Sequence, residues 1–139
     1  MPPAGTSDTF DTSAGPLKVT PIHHASTLLE IGGKTIYVDP WSEGKLDGLP
    51  KADYIFISDI HPDHLDPAAI DKLKKDGTIL VGPAAVSEKR TMTVVLKNGD
   101  AHDFGAFKVE AIPMYNLTRG PEAGKLFHDK GRGDGFVFT

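Results

Sequence analysis

Several titratable side chains lie close together in the stretch at positions 59–66, whose sequence is DIHPDHLD. They are Asp59, His61, Asp63, His64 and Asp66. Imidazole nitrogens and carboxylate oxygens are the ligands that suit zinc, manganese or iron. Asp66 is equally well explained as the N-cap of a helix, because Pro67 follows it at the first helical position. That explanation leaves two histidines and two aspartates, and these predict a metal site.

The stretch lies between an apolar run and a helix-forming run. Residues 54–58, YIFIS, are almost continuously apolar, which is typical of a strand buried on both faces. Residues 67–77, PAAIDKLKKDG, predict a helix that a glycine ends. In α/β proteins, ligands bind where the carboxyl end of a strand passes into such a helix. A tight loop at this place can turn His61, Asp63 and His64 into one cleft.

The rest of the pattern predicts an α/β chain with a mixed sheet and flanking helices. Strands are expected at 17–22, 27–31, 34–39, 54–58, 78–82, 91–96, 107–114 and 135–139, and helices at 67–77 and 83–90. Gly32 and Gly33 form the turn of a hairpin. Residues 1–16 are rich in Pro, Gly, Ser, Thr and Asp, so they are expected to form a flexible arm ahead of a domain at 17–139.

Composition excludes several classes of protein. The 139 residues are 39% hydrophobic and 24% charged, which is ordinary for one globular domain. Because there is no cysteine, thiolate metal sites and disulfides are excluded. The net charge is -4 and there is no basic run, so nucleic acid is not an expected partner. No membrane span is expected either. Localisation stays open between the cytoplasm and, if a signal peptide has been removed, the periplasm.

Four segments resemble the metallo-β-lactamase superfamily. Residues 59–64, DIHPDH, resemble its HxHxDH motif, with aspartate in place of the first histidine. Upstream, HAS at 24–26 and the following LLEIGGKTIYVDP resemble the opening of the branch that includes the ascorbate-6-phosphate lactonases. Downstream, AIPMYN and FHDKGRGDGFVF resemble the segment of that branch that carries the next metal histidine. The resemblance implies that the chain is the N-terminal half of a four-layer αββα sandwich.

The resemblance also implies two metal positions. Asp59, His61 and His128 would hold the first metal, Asp63 and His64 would begin the second, and Asp63 would orient the attacking water. The implied activity is metal-dependent hydrolysis, in which a metal-bound hydroxide attacks a lactone, an ester or a phosphoester of a small-molecule substrate. One or two zinc ions are expected. Manganese or iron is the alternative, because an aspartate at position 59 is a harder ligand than histidine.

Other polar side chains are candidates for the surroundings of the same cleft. Asp39 either orients a ligand histidine through a hydrogen bond or caps a turn. His24 either faces the cleft or packs in the core, and His23 is expected to point to the opposite face if the strand is regular. His102 is expected to be in solvent. Further candidates for the pocket or the substrate are Tyr115, Asn116, Lys130 and Arg132, the last two for an anionic substrate group.

The superfamily's second half contributes an aspartate that bridges the metals and a last metal histidine, and the chain matches neither. The apolar faces of the strands at 54–58 and 78–82 are therefore expected to lack a cover. A complementing C-terminal half and a homodimer are both open as the partner. The alternative to a hydrolase is a non-catalytic metal-binding or assembly module that keeps the fold.

Overall fold

The computed structural model describes residues 6–139, and these residues form two sheets and two short helices. The elements are β1 (Asp8–Thr12), β2 (Gly15–His23), β3 (Ser26–Ile31), β4 (Lys34–Val38), β5 (Tyr54–Phe56), α1 (Pro67–Leu73), β6 (Ile79–Gly82), α2 (Ala84–Lys89), β7 (Val94–Val95), β8 (Ala101–Asp103), β9 (Lys108–Met114) and β10 (Gly133–Phe138). Strands β1 to β7 form the large sheet in chain order, antiparallel up to β4 and parallel from β4 onward. The small sheet is antiparallel, in the order β10-β9-β8. The expected mixed sheet is present, whereas a separate second sheet was not predicted.

Alternation along β5 sends its side chains to both faces of the large sheet. Ile55 belongs to a cluster with Ile70 and Leu73 of α1. Tyr54 and Phe56 belong to a second cluster, on the face that the small sheet covers. All three residues of β5 are at most 6% exposed. The expectation that this strand lacks a cover is therefore wrong, because the small sheet already lies on it.

Aromatic rings join the two sheets. The ring centroid of Phe56 lies 5.1 Å from that of Phe136 and 4.9 Å from that of Phe138, and Tyr54 lies 4.8 Å from Phe107. All three pairs are edge-on, the arrangement that the charge distribution of aromatic rings favours. These contacts fix the small sheet against the large one and hold the start of β10 beside the end of β5.

The segment expected to be a flexible arm contains a strand. Residues 1–5 lie outside the described part of the chain, but β1 pairs antiparallel with β2, from Asp8 opposite Val19 to Thr12 opposite Gly15. All five residues of β1 are exposed. Ladder hydrogen bonds therefore hold β1 in place, and an expectation based on side-chain burial alone missed it.

Helix α1 begins where the sequence predicted and ends earlier. The Asp66 carboxylate accepts hydrogen bonds from two backbone N–H groups of the first turn, at 3.0 and 3.3 Å. The helix stops at Leu73 with Lys74 as its C-cap, so Gly77 is not its end. Strand β7 has only two residues, and β8 was not predicted. Within residues 6–139, no helix is long and apolar enough to cross a membrane.

Parallel pairing of β4 and β5 brings two polar chain segments to one edge of the large sheet. Val38, the last residue of β4, lies opposite Phe56, the last residue of β5. Asp39 directly follows β4, and Asp59 lies three positions beyond Phe56. Since the carboxyl ends of parallel strands share an edge, both aspartates are placed where ligand sites form in such sheets.

Candidate metal centre

The loop between β5 and α1 carries two histidines of the cleft, His61 and His64. It contains a tight turn, in which the N–H groups of His64 and Leu65 donate to the carbonyl of His61 at 2.9 and 2.8 Å. The ring of His128, from the segment before β10, lies 5.0 Å from the ring of His61 and 5.6 Å from that of His64. Three imidazoles from two distant parts of the sequence therefore converge.

Asp59, His61 and His128 form a group suited to a metal ion. Each offers one ligand atom, and these atoms lie within 4.8 Å of one another. Oδ2 of Asp59 is 3.6 Å from Nδ1 of His61 and 3.6 Å from Nε2 of His128. The structure thus brings together the three residues predicted for the first metal position, and their binding of a metal stays a prediction.

Asn116 fixes the orientation of His128. Its Oδ1 accepts hydrogen bonds from the backbone N–H of His128 at 2.7 Å and from Nδ1 at 2.9 Å. With Nδ1 as the donor, Nε2 is an acceptor, and it is buried with no hydrogen-bond partner in residues 6–139. Burial lowers the pKa of His128, which favours the neutral ring. A buried acceptor without a partner is unfavourable unless a ligand meets it, so this ring fits a metal ligand.

Asp39 orients His64. Nδ1 of His64 lies 2.7 Å from Oδ2 of Asp39, and the Asp39 carboxylate also accepts from the backbone N–H of Ser58 at 2.7 Å and from its Oγ at 2.5 Å. The hydrogen bond with Asp39 raises the pKa of His64, against the opposite effect of burial. Nε2 of His64 is left 3.7 Å from Oδ2 of Asp63. Asp39 therefore stands in the orienting position, one of the two roles that its place in the sequence allowed.

His24 and Asp39 are the non-glycine residues with positive φ in the described range 6–139, at 55° and 45°. Left-handed backbone costs an L-residue roughly 1–2 kcal/mol. Both residues contribute side chains to the same cleft, and Oγ of Ser26 donates to the carbonyl of Asp39 at 2.6 Å. Strained backbone concentrates where the surrounding structure fixes it for a functional purpose.

Asp63 is paired with His24 across the cleft. Nε2 of His24 lies 2.8 Å from Oδ2 of Asp63, whose side chain is 29% exposed. The rings of His23 and His24 both lie near Trp41, with centroids 5.3 and 5.7 Å away. His23 was expected to point away from His24 only in a regular strand, and that condition is not met, because the pairing of β2 with β3 shifts register just before His23.

Arg132 binds Asp59 with two parallel hydrogen bonds. Nε donates to Oδ1 and Nη2 donates to Oδ2, both at 2.9 Å. Nη2 also donates to the carbonyl of Phe127 at 2.9 Å, and Nη1 donates to the carboxylate of Asp129 at 3.0 Å. Burial alone would raise the pKa of Asp59, but the hydrogen bonds from Arg132 hold it below its usual range. Arg132 is thus engaged by protein groups, which differs from the expected contact with an anionic substrate.

Gly133 allows β10 to approach Asp59 closely. A Cβ atom at this position would lie 2.9 Å from the carbonyl oxygen of Ser58, so a larger residue would push the strands apart. The close approach brings Arg132 beside Asp59. No local pattern predicts this contact, because residues 131–135, GRGDG, have the composition of a plain loop.

A third buried carboxylate lies at the start of β10. Asp134 is 0% exposed, and its Oδ1 accepts a hydrogen bond from Nδ2 of Asn98 at 2.8 Å. Its Oδ2 is buried without a partner in the described part of the chain. Burial raises the pKa of Asp134 to about 6, in spite of the hydrogen bond from Asn98. Asp134 was not among the site residues predicted from the sequence.

Three further side chains contact residues other than Asp59, His61 and His128. Nζ of Lys130 sits 5.3 Å from the ring centroid of Tyr115, a cation–π arrangement at a partly exposed site. His102 belongs to β8 and lies with its ring 4.4 Å from that of Phe104. His102 therefore lies in a strand rather than in a turn, and it is half-buried.

Comparisons with known proteins agree with this geometry. Residues 18–139 match the family described as the beta-lactamase superfamily domain. The crystal structure of a Parabacteroides distasonis protein, assigned as a metal-dependent hydrolase, is 37% identical with a TM-score of 0.87, over 96% of this chain and 61% of that one. A UPF0173 metal-dependent hydrolase of Flavobacterium johnsoniae is 36% identical over 117 residues, which are 76% of this chain and 51% of that protein.

A more distant structure shows the fold alone. Igni18, a metallo hydrolase from the archaeon Ignicoccus hospitalis, is 18% identical with a TM-score of 0.64, over 88% of this chain and 55% of that one. The chain therefore spans between 51% and 61% of the lengths of these three relatives.

Proposed function

Because the chain belongs to the beta-lactamase superfamily domain family, we propose that it carries the metal-binding part of a metal-dependent hydrolase. The observation that supports this most directly is the buried Nε2 of His128, which has no partner in residues 6–139 and faces Asp59 and His61. The reaction class is supported by the Parabacteroides and Flavobacterium relatives, both named as metal-dependent hydrolases.

Asp59, His61 and His128 would hold a first metal ion, and Asp63 and His64 would begin a second position. A divalent metal, when bound, supplies a Lewis acid and lowers the pKa of a water molecule that it holds. Zinc is the proposed metal, with manganese and iron as alternatives, because the ligand atoms are imidazole nitrogens and carboxylate oxygens and the chain has no cysteine.

Asp63 is the residue that we assign to the attacking water. Its Oδ2 is 2.8 Å from Nε2 of His24, and its partly exposed side chain leaves room for water to reach the carboxylate. His24 holds this carboxylate from the opposite wall of the cleft, and Asp39 holds His64 beside it. Asp63 can therefore orient a water molecule and accept its proton. The proposed substrate class, a lactone, an ester or a phosphoester, rests on the sequence resemblance.

We also propose that further groups complete the centre. Asp63 and His64 offer two ligand side chains, fewer than the three or four protein ligands that zinc takes in proteins. A complementing C-terminal half, which would make the four-layer αββα sandwich, is the first candidate, and a homodimer is the second. Light scattering on the chain alone, and again after mixing with the C-terminal half of a relative, separates the two. A chain that stays monomeric and gains no mass on mixing would contradict both.

Turnover tests the catalytic part of the proposal. A generic lactone and a generic phosphodiester would be assayed with the chain alone and with the added C-terminal half. Activity should be abolished by a chelator and by Asp63→Ala, and retained by Lys125→Gln, a change at an exposed lysine.

Metal uptake without turnover in either setting would instead favour a non-catalytic metal-binding module.

A further inference from the structure

Asp59 already has a cation bound to it. Both of its carboxylate oxygens accept hydrogen bonds from the guanidinium of Arg132, and its side chain is only 1% exposed. A guanidinium keeps its positive charge at every pH at which proteins are studied, and its planar fork matches a carboxylate. Asp59 is therefore neutralised and hydrogen-bonded by a group that belongs to the chain.

Arg132 is also anchored from behind. Its Nη2 donates to the carbonyl of Phe127 and its Nη1 to the carboxylate of Asp129. Its backbone N–H donates to the carbonyl of Asp129 at 3.3 Å. Moving the guanidinium away from Asp59 would break these side-chain contacts as well, so it is not a loose surface side chain that happens to lie nearby.

The Asp59 oxygen that accepts from Arg132 is also the one that faces the two histidines. Oδ2 of Asp59 accepts from Arg132 and is also the oxygen that lies 3.6 Å from His61 and from His128. A divalent ion on this oxygen would meet a fixed positive charge in a partly buried site, where repulsion between like charges is much stronger than in water. Metal and guanidinium therefore compete for one carboxylate.

We propose that Arg132 is a resident cation of the centre, which occupies Asp59 and weakens the binding of a divalent metal at Asp59, His61 and His128. A metal ion reaches Asp59 only when Arg132 moves away, and Arg132 thereby sets the metal affinity of this position. The proposal rests on the proposed function, in that a divalent metal is taken as the ligand of the histidines.

Zinc titration of the whole chain in competition with a chromogenic chelator tests this, with no substrate present. Arg132→Gln should bind zinc roughly ten- to a hundredfold more tightly than the unchanged protein, the range that partners of metal ligands commonly control. The gain should disappear when His128→Ala is added. Lys130→Gln, two positions away, removes a positive charge that does not contact Asp59 and should leave the affinity unchanged.

Arg132→Lys covers the case in which Arg132→Gln fails to fold, since Arg132→Gln leaves a buried carboxylate without its partner. Lysine keeps a positive charge beside Asp59 but lacks the planar fork that occupies both carboxylate oxygens. Arg132→Lys should therefore bind zinc more tightly than the unchanged protein, by up to about tenfold. Circular dichroism would establish that both are folded.

Equal or weaker zinc binding by Arg132→Gln, or by Arg132→Lys where Arg132→Gln does not fold, would overturn the proposal. The proposed function has its own readout, because turnover is measured separately. If the protein turns over substrate but Arg132→Gln binds zinc no more tightly than the unchanged protein, the proposed role of Arg132 is wrong and the proposed hydrolase activity is supported. Tighter zinc binding without turnover in any setting would support the role of Arg132 and count against the hydrolase.

Discussion

Asp39 and Asp59 follow neighbouring parallel strands at one edge of the large sheet, and both are buried, at 2% and 0% exposure. Their partners differ. Asp39 accepts hydrogen bonds from Ser58 and His64, groups that are neutral or can become so, and it holds an imidazole whose other nitrogen faces the cleft. Asp59 accepts both of its hydrogen bonds from the permanent cation Arg132.

The difference shows that burial and position alone do not decide what a carboxylate does. A buried carboxylate with a histidine partner makes that histidine a better ligand, because it fixes the ring and increases its basicity. A buried carboxylate with an arginine partner has its charge and both oxygens in use. At the proposed metal centre, the two aspartates are therefore expected to affect metal affinity in opposite directions.

The largest expected effect comes from removing Arg132, the cation paired with Asp59. Arg132→Met in the metal-free protein should lower the free energy of unfolding by roughly 3–5 kcal/mol, because it leaves the Asp59 charge buried and unpaired. Urea unfolding at neutral pH would measure it, with Lys130→Met as the control for loss of a charge on the same loop. A loss below about 1 kcal/mol would mean that the pair is as weak as one on the surface.

Asp134 offers a third buried carboxylate, to which no cation or histidine of residues 6–139 is hydrogen-bonded. Its pKa is raised to about 6 from 3.8, so between these two values the folded state binds a proton that the unfolded state does not. Stability should therefore fall as the pH rises from about 4 to about 6, by roughly 3 kcal/mol at most, since one pKa unit corresponds to about 1.4 kcal/mol.

Chemical denaturation across this pH range, compared between the unchanged protein and Asp134→Asn, isolates the contribution of Asp134. The variant should show a flatter dependence, because position 134 no longer titrates while the other groups remain. Parallel curves for the two proteins would show that Asp134 does not bind a proton on folding in this range.

Asp39→Asn tests whether the Asp39 carboxylate orients His64 and strengthens zinc binding by it. Asparagine tolerates the left-handed backbone at position 39, so the fold should survive. Loss of the negative charge beside Nδ1 should weaken zinc binding that depends on His64 by roughly ten- to a hundredfold. It should also lower the pKa of His64, measured by NMR, because the hydrogen bond with Asp39 is the main cause that raises it. An unchanged zinc affinity and an unchanged His64 titration would together remove the orienting role.

Asp66 gives the smallest expected effect and a reference for both buried aspartates. It caps α1 and also accepts hydrogen bonds from the backbone N–H and the Oγ of Ser42 at 2.8 and 2.6 Å, in a solvent-accessible setting. Asp66→Ala should cost about 1 kcal/mol in thermal or urea unfolding, the usual cost of losing an N-cap. A loss of unfolding free energy near that of Arg132→Met would show that burial does not decide how much a carboxylate contributes to stability.

What could be predicted from the sequence follows from the separation of the residues involved. The positions of His61, Asp63 and His64 and the start of α1 are determined within a few residues, so spacing and capping chemistry were enough to predict them. The orienting role of Asp39 spans 25 residues, and the motif gave it as one of two options. The Asp59–Arg132 pair spans 73 residues. It depends on how the small sheet docks on β5 through phenylalanines, and no local pattern encodes that docking.

The second sheet and β1 were missed for related reasons. Residues of β9 and β10 had strand patterns, but which sheet they join depends on contacts such as Phe56 with Phe138. In β1 the side chains are polar or exposed, so periodicity carried little information, and the ladder with β2 supplies the stabilisation. Backbone pairing is invisible to an argument from side-chain burial.

Strand β1 also bears on the solubility of the protein, since it is the terminal strand in the order of the large sheet over residues 6–139. An open sheet edge offers unpaired backbone groups to other copies of the chain and can seed fibrils. Phe10, which is 54% exposed, adds an apolar side chain that favours association of such edges. Asp8 and Asp11 flank it along the same strand. Repulsion between these acidic residues on two identical edges opposes such pairing.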